Sequence, residues 1–103
     1  MYKLCVYVPE DALEQVKQAL FAAGAGRLGD YSDCCWQVLG TGQFRPGVSS
    51  DPAIGSVGAT TRLQEYRVEM LCPEECVELV IEALREAHPY EEPAFDLMSV
   101  RIR

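Results

Sequence analysis

Two stretches of the chain carry the same pattern of apolar and polar positions. Lys3–Ala23 and Arg67–Ala87 each open with alternating apolar residues: Leu4, Val6 and Val8 in one, Val68, Met70 and Cys72 in the other. Alternation at period two predicts a strand that buries one face. Each run ends in Pro-Glu, at Pro9-Glu10 and Pro73-Glu74. Apolar residues then recur at helical spacing: Leu13, Val16, Leu20 and Ala23, then Val77, Val80, Leu84 and Ala87. That spacing predicts an amphipathic helix after each strand. Proline suits the first helical turn, where its missing N–H would have no partner. Glu10, Asp11, Glu74 and Glu75 favour the positive end of the helix dipole. The first helix is expected to stop at Gly24-Ala25-Gly26 and the second at His88-Pro89.

The stretches lie 64 residues apart and align without gaps. They share Pro9/Pro73, Glu10/Glu74, Glu14/Glu78, Val16/Val80, Ala19/Ala83, Leu20/Leu84 and Ala23/Ala87. An internal match at one fixed offset marks a duplicated unit. Further strands are expected over Tyr31–Leu39 and Phe95–Ile102. Gly40-Thr41-Gly42 reads as a turn or bulge before Gln43-Phe44. The segment from Arg45 to about Arg62 is rich in Gly, Pro, Ser and Asp and reads as a long loop, with room for a short edge strand. The order predicts two βαβ halves forming one domain over residues 1–103. This is a ferredoxin-like α+β sandwich, with two helices on one face of an antiparallel sheet.

With Leu4, Val6, Val8, Val68, Met70 and Cys72 facing the helices, Cys5, Tyr7, Glu69 and Leu71 fall on the opposite face. That face is too apolar for plain solvent surface. It is expected to be covered by another subunit or by the long loop, with Tyr7, Leu71 and Phe44 among the interface residues.

Composition narrows the function classes. The chain has 103 residues, 49% of them hydrophobic, and a formal net charge of −7. This acidity argues against nucleic acid and anionic membranes as partners. No apolar run approaches the roughly 20 residues needed to span a bilayer. Met1-Tyr2-Lys3-Leu4 enters a strand without the features of a signal peptide, so a cytoplasmic location is expected. Five cysteines (Cys5, Cys34, Cys35, Cys72 and Cys76), two of them adjacent, are expected as thiols and not as a disulfide framework.

Five separated motifs carry a family resemblance. They are Val8-Pro-Glu, Leu20–Ser32, Gly40-Thr-Gly-Gln-Phe-Arg-Pro46, Ile54-Gly-Ser-Val-Gly58 and Ala87-His-Pro-Tyr-Glu-Glu-Pro-Ala-Phe-Asp96. In this order the chain resembles the insert domain of the Nif-three-like (NGG-interacting-factor-like) family. In that family the insert interrupts a larger protein whose histidine-rich flanking segments hold a two-metal centre. This chain has one histidine, so the resemblance implies a stand-alone relative of the insert, without the dinuclear site or its hydrolase labels. It also implies a fold similar to PII-like and CutA-like proteins, which commonly assemble as trimers. CutA proteins carry a comparable His-Pro-Tyr-Glu motif, matched here by His88, Pro89, Tyr90 and Glu91.

His88-Pro-Tyr-Glu-Glu-Pro93 is the densest polar cluster. An imidazole with carboxylates suits zinc or copper, which would engage His88, Glu91 and Glu92 with help from Cys5. The competing reading makes His88 a helix terminator and the prolines shapers of the link to the last strand. Cys72 and Cys76 lack the paired spacing of a zinc motif, and Cys72 reads as core. Gly40-Thr-Gly and Gly24–Gly29 lack the Lys-Ser or Lys-Thr of a phosphate loop and read as a hairpin turn and a helix cap. No nucleophile is accompanied by a base and an orienting group. The expectation is a non-enzymatic, oligomeric interaction or regulatory module, a dimer or trimer with no certain cofactor, open also to an unidentified protein partner. The alternative is a CutA-like protein binding a divalent metal ion.

Overall fold

The duplicated halves interlock as two βαβ units. The computed structural model describes residues 1–103. Strand β1 (Tyr2–Pro9) leads into helix α1 (Leu13–Ala22) and strand β2 (Trp36–Phe44). Strand β3 (Thr61–Cys72) leads into helix α2 (Val77–Ala87) and strand β4 (Phe95–Ser99). The sheet is antiparallel in the order β2-β3-β1-β4. The order reads the same when the halves are exchanged: β1 and β3 are central, β2 and β4 are the edges. Register repeats the symmetry, since Tyr2 pairs with Cys72 and their counterparts at the 64-residue offset, Tyr66 and Val8, also pair. This is the expected ferredoxin-like α+β sandwich.

The helix starts refine the expectation. Pro9 and Pro73 each precede a single 3₁₀ turn, Glu10–Ala12 and Glu74–Cys76, and the α-helices begin only afterwards. The two prolines have nearly the same backbone, φ −63° and −62°, ψ 150° and 145°. An extended ψ points the chain out of the strand, and the short turn tightens it onto the sheet. Gly24, at φ +113°, follows the end of α1 as a left-handed cap, and its N–H donates to the Phe21 carbonyl. At the end of α2, His88 has already turned extended (ψ 134°), as the residue before Pro89 must.

The core lies between the sheet and the helices. Leu4, Val6, Val8 and Val68 meet Val16, Leu20, Val80 and Leu84, and all are fully buried. Cys72 joins this core, as its place in the alternation requires.

Three expectations are corrected: the second strand begins at Trp36, not Tyr31, and runs on to Phe44, the last ends at Ser99, short of Ile102, and the expected turn between residues 40 and 42 is absent. Gly40-Thr41-Gly42 is not a turn: β2 runs straight through it, with Gly40 opposite Glu65 and Gly42 opposite Leu63. The glycines do not bend the strand. A Cβ at Gly42 would fall on the Glu65 carboxylate, which lies across the strand at that point. The segment from 45 to 60 contains no strand and folds back on itself, with Gly58 N–H donating to the Pro46 carbonyl at 2.8 Å.

The first and last strands are neighbours. Tyr2 pairs with Ser99, and the Val100 N–H donates to the Met1 carbonyl at 3.1 Å.

Candidate functional site

Two surfaces stand out, and both follow from the sheet. The first is the face away from the helices. Trp36 and Val38 of β2 project beside Glu69 and Arg67 of β3, next to Cys5 and Tyr7 of β1 and Met98 of β4. Trp36 is 59% exposed and Met98 62%, with Val38 and Tyr7 also exposed. Leu71 is half-buried on the same face. The alternation of β1 and β3 therefore assigned Cys5, Tyr7, Glu69 and Leu71 to the open face as expected. Trp36, Val38 and Met98 were missed, because an edge strand's facing residues follow only from register.

The second surface is a cleft of about 440 Å³ at the end of the sheet, between the 45–60 loop and the link from His88 to Ala94. The Asp51 N–H donates to both Glu91 carboxylate oxygens (3.1 and 3.3 Å) and ties the loop to the link. Phe44 stacks obliquely on Tyr90, their ring centroids 5.9 Å apart. The Tyr90 hydroxyl donates to Glu65 at 2.7 Å. Burial, reinforced by that carboxylate, pushes the Tyr90 phenol far above its usual value, so it stays protonated and donating.

His88 anchors this link. Its side chain is 5% exposed. Nε2 lies 2.7 Å from the Tyr7 carbonyl oxygen, and Nδ1 lies 3.1 Å from the Tyr90 backbone N–H. A carbonyl only accepts and an N–H only donates, so these partners require the neutral tautomer with its proton on Nε2. Burial lowers the imidazole pKa below 6.5, against smaller opposing effects from the Tyr7 carbonyl and Glu65.

The residues expected to hold a metal do not converge within one chain. Both ring nitrogens of His88 are engaged by backbone groups, while Glu91 and Glu92 are exposed in the link. Cys5 sits on the open face, where burial pushes its thiol pKa upward, Tyr7 opposes this, and Asp96 and Glu69 add to it. No three His, Cys, Asp or Glu side chains group as a metal site. Of the expected interface residues, Tyr7 and Leu71 are on the open face. Phe44 shares that face by register at the far end of β2, where it packs against Tyr90 and Gly55 and lines the cleft together with Tyr7. Glu65 was not singled out in the sequence. It is one of four charged residues in β3, with Arg62, Arg67 and Glu69, and nothing local distinguishes it.

The Gly42 clearance gives a direct test. In Gly42→Ala the added methyl must push the Glu65 carboxylate off Tyr90. The loss of this charged hydrogen bond is expected to cost about 1.5–3 kcal/mol in thermal or denaturant unfolding. An unchanged stability would show that Glu65 is not held in place.

Comparison with known proteins places this architecture. A "GTP cyclohydrolase 1 type 2 homolog" of Mycobacterium tuberculosis is 51% identical over 98 residues, which are 95% of this chain and 26% of that protein. The protein of the same name from Listeria monocytogenes is 40% identical over 102 residues, 98% of this chain and 27% of its own length. A solved Bacillus cereus protein related to NIF3 superposes with a TM-score of 0.80 at 40% identity, covering 93% of this chain and 24% of that one. The chain is a relative of the Nif-three-like proteins. It spans about a quarter of the length of the curated relatives it matches. The CutA protein of Archaeoglobus fulgidus, a periplasmic divalent cation tolerance protein, shares the fold of this Nif-three-like chain. Its TM-score is 0.70 at 13% identity, over all of this chain and 87% of CutA. No protein-family profile matches the chain. No helix is long and apolar enough to cross a membrane.

Proposed function

We propose that this Nif-three-like chain is an interaction and regulatory module that works by self-association through the open face of its sheet. The observation that carries the reading is the set of exposed apolar side chains on that one face, Trp36, Val38, Tyr7 and Met98. Large apolar side chains exposed together on one sheet face mark a contact surface. The charges among them favour a second copy as the occupant. Lys3 and Arg67 lie there with Glu65, Glu69 and Asp96, so the face is much closer to neutral than the whole chain, whose net charge is −7. Most of the acidic excess lies elsewhere, so two such faces meet with little net repulsion.

The module has no catalytic step of its own in this reading. His88, the one imidazole, is spent on backbone groups, and no side chain is paired with it as a nucleophile. Any cyclization or hydrolysis suggested by the relatives' name would reside in the three-quarters of their length that this chain does not match. A divalent metal reading requires His88 to release one of its backbone partners, so it ranks second.

Native mass spectrometry and sedimentation at micromolar concentration test the proposal. The expected species is a dimer or trimer. Trp36→Glu combined with Val38→Lys keeps the net charge and is expected to give a folded monomer by circular dichroism. A wild-type protein that stays monodisperse and monomeric would sink the reading.

A further inference from the structure

The cleft at the end of the sheet has a composition that self-association through the open face does not explain. Its volume of about 440 Å³ suits a small ligand, since such sites commonly span roughly 300–1,000 Å³. Its lining is partly apolar, with Phe44, Pro46, Pro52 and Ile54. It also includes three acidic residues, Glu65, Glu91 and Glu92. The one cation in the lining, Arg45, directs its Nε to the Gly58 carbonyl at 3.2 Å. The chain's side-chain ion pairs are Lys17–Glu14 and Arg67–Glu69, so none of the three carboxylates has a counter-ion.

Glu65 is held in position. Gly42 leaves room for its carboxylate across β2, and the Tyr90 hydroxyl fixes one oxygen at 2.7 Å. The other oxygen has no donor within the chain, although the carboxylate is half-buried beside aromatic rings. A carboxylate and aromatic faces in one concave space attract the same class of group. Both favour positive charge, the first through direct attraction and the second through the negative π face. An anion would meet repulsion from all three acids.

We propose that this cleft binds a small organic cation, an ammonium or guanidinium group on a short apolar stem. Glu65 receives the charged head, Phe44 and Tyr90 offer their faces, and Pro52 and Ile54 line the path of the stem. The cation is either a free amine or the Lys or Arg side chain of another polypeptide.

Titration of isotope-labelled protein by NMR tests the assignment. The probes are agmatine, n-butylamine, its uncharged counterpart n-butanol, inorganic phosphate, and a blocked Gly-Arg-Gly peptide. Agmatine or n-butylamine is expected to shift the amides of Phe44, Ala53, Tyr90 and Ala94 saturably, with those of Trp36 and Val38 unmoved. Tighter binding of the peptide than of agmatine assigns the head to a polypeptide side chain, and the reverse order assigns it to a free amine. Glu65→Gln is expected to weaken binding by about tenfold or more. Phe44→Leu, which keeps the apolar volume, is expected to weaken it as well, and supplies the test should Glu65→Gln lose the dispersed spectrum of the fold. The proposal is overturned if shifts do not saturate, if n-butanol or phosphate binds as well as the amine, or if a folded variant binds unchanged.

Discussion

Replacing His88 by alanine is expected to lower folding stability by about 2–4 kcal/mol in urea unfolding, with chelator making no difference to wild type or variant. The reason is the pair of backbone groups on its ring. Removing the imidazole strands the Tyr7 carbonyl and the Tyr90 N–H, and each unsatisfied buried group costs about 1–3 kcal/mol. On a domain whose total stability is about 5–15 kcal/mol, this is a large fraction. A metal-ligand role predicts the opposite chelator result, with wild type destabilised and the variant indifferent. The same residue sets a pH dependence. Its folded pKa is depressed below 6.5, so near and below that value the unfolded chain binds a proton that the folded chain resists. Stability is therefore held above pH 6.5 and falls as pH drops through the window from 6.5 down to the folded value. His88→Gln, which cannot titrate, is expected to lose this component. An unchanged slope in the variant would assign the acid sensitivity to other groups.

Leu20→Ala and Leu84→Ala are each expected to cost about 2–5 kcal/mol, the range for truncating a buried leucine that leaves a partly collapsed cavity. The two residues are counterparts in the duplication, and both are fully buried where α1 and α2 meet the sheet. Because they face one core, the double variant should depart from the sum of the singles, since a shared cavity couples them. Chemical unfolding of the three variants measures this directly. A cost below about 1 kcal/mol at either site would show that the core repacks freely there.

Much of the scaffold was legible because its signals are local and stated twice. The period-two alternation at Leu4-Val6-Val8 and Val68-Met70-Cys72 marked the central strands. The helical spacing through Leu20 and Leu84 marked both helices. The 3₁₀ turns were less visible, since Pro-Glu is compatible with either helix type at its start. Gly40-Thr41-Gly42 misled because glycine usually punctuates, whereas here it clears space for a side chain 23 residues further on. The cleft was hidden for the same reason. Tyr90 reaches Glu65 across 25 residues and Asp51 reaches Glu91 across 40, and no short-range pattern announces such pairs. His88 was visible as chemistry, but its environment depends on a carbonyl 81 residues away.

The pairing of Tyr2 with Ser99, closed by the bond from Val100 to Met1, makes the domain a tethered loop with almost no gap at its base. Chain entry and exit lie on adjacent strands, about 5 Å apart. A host protein can accept such a fold within a surface loop without pulling its own two ends apart. Folding of the inserted unit then closes the connection for the host, removing the entropy that a flexible linker of the same length would impose. For proteins about four times as long as this chain, that geometry makes the domain portable.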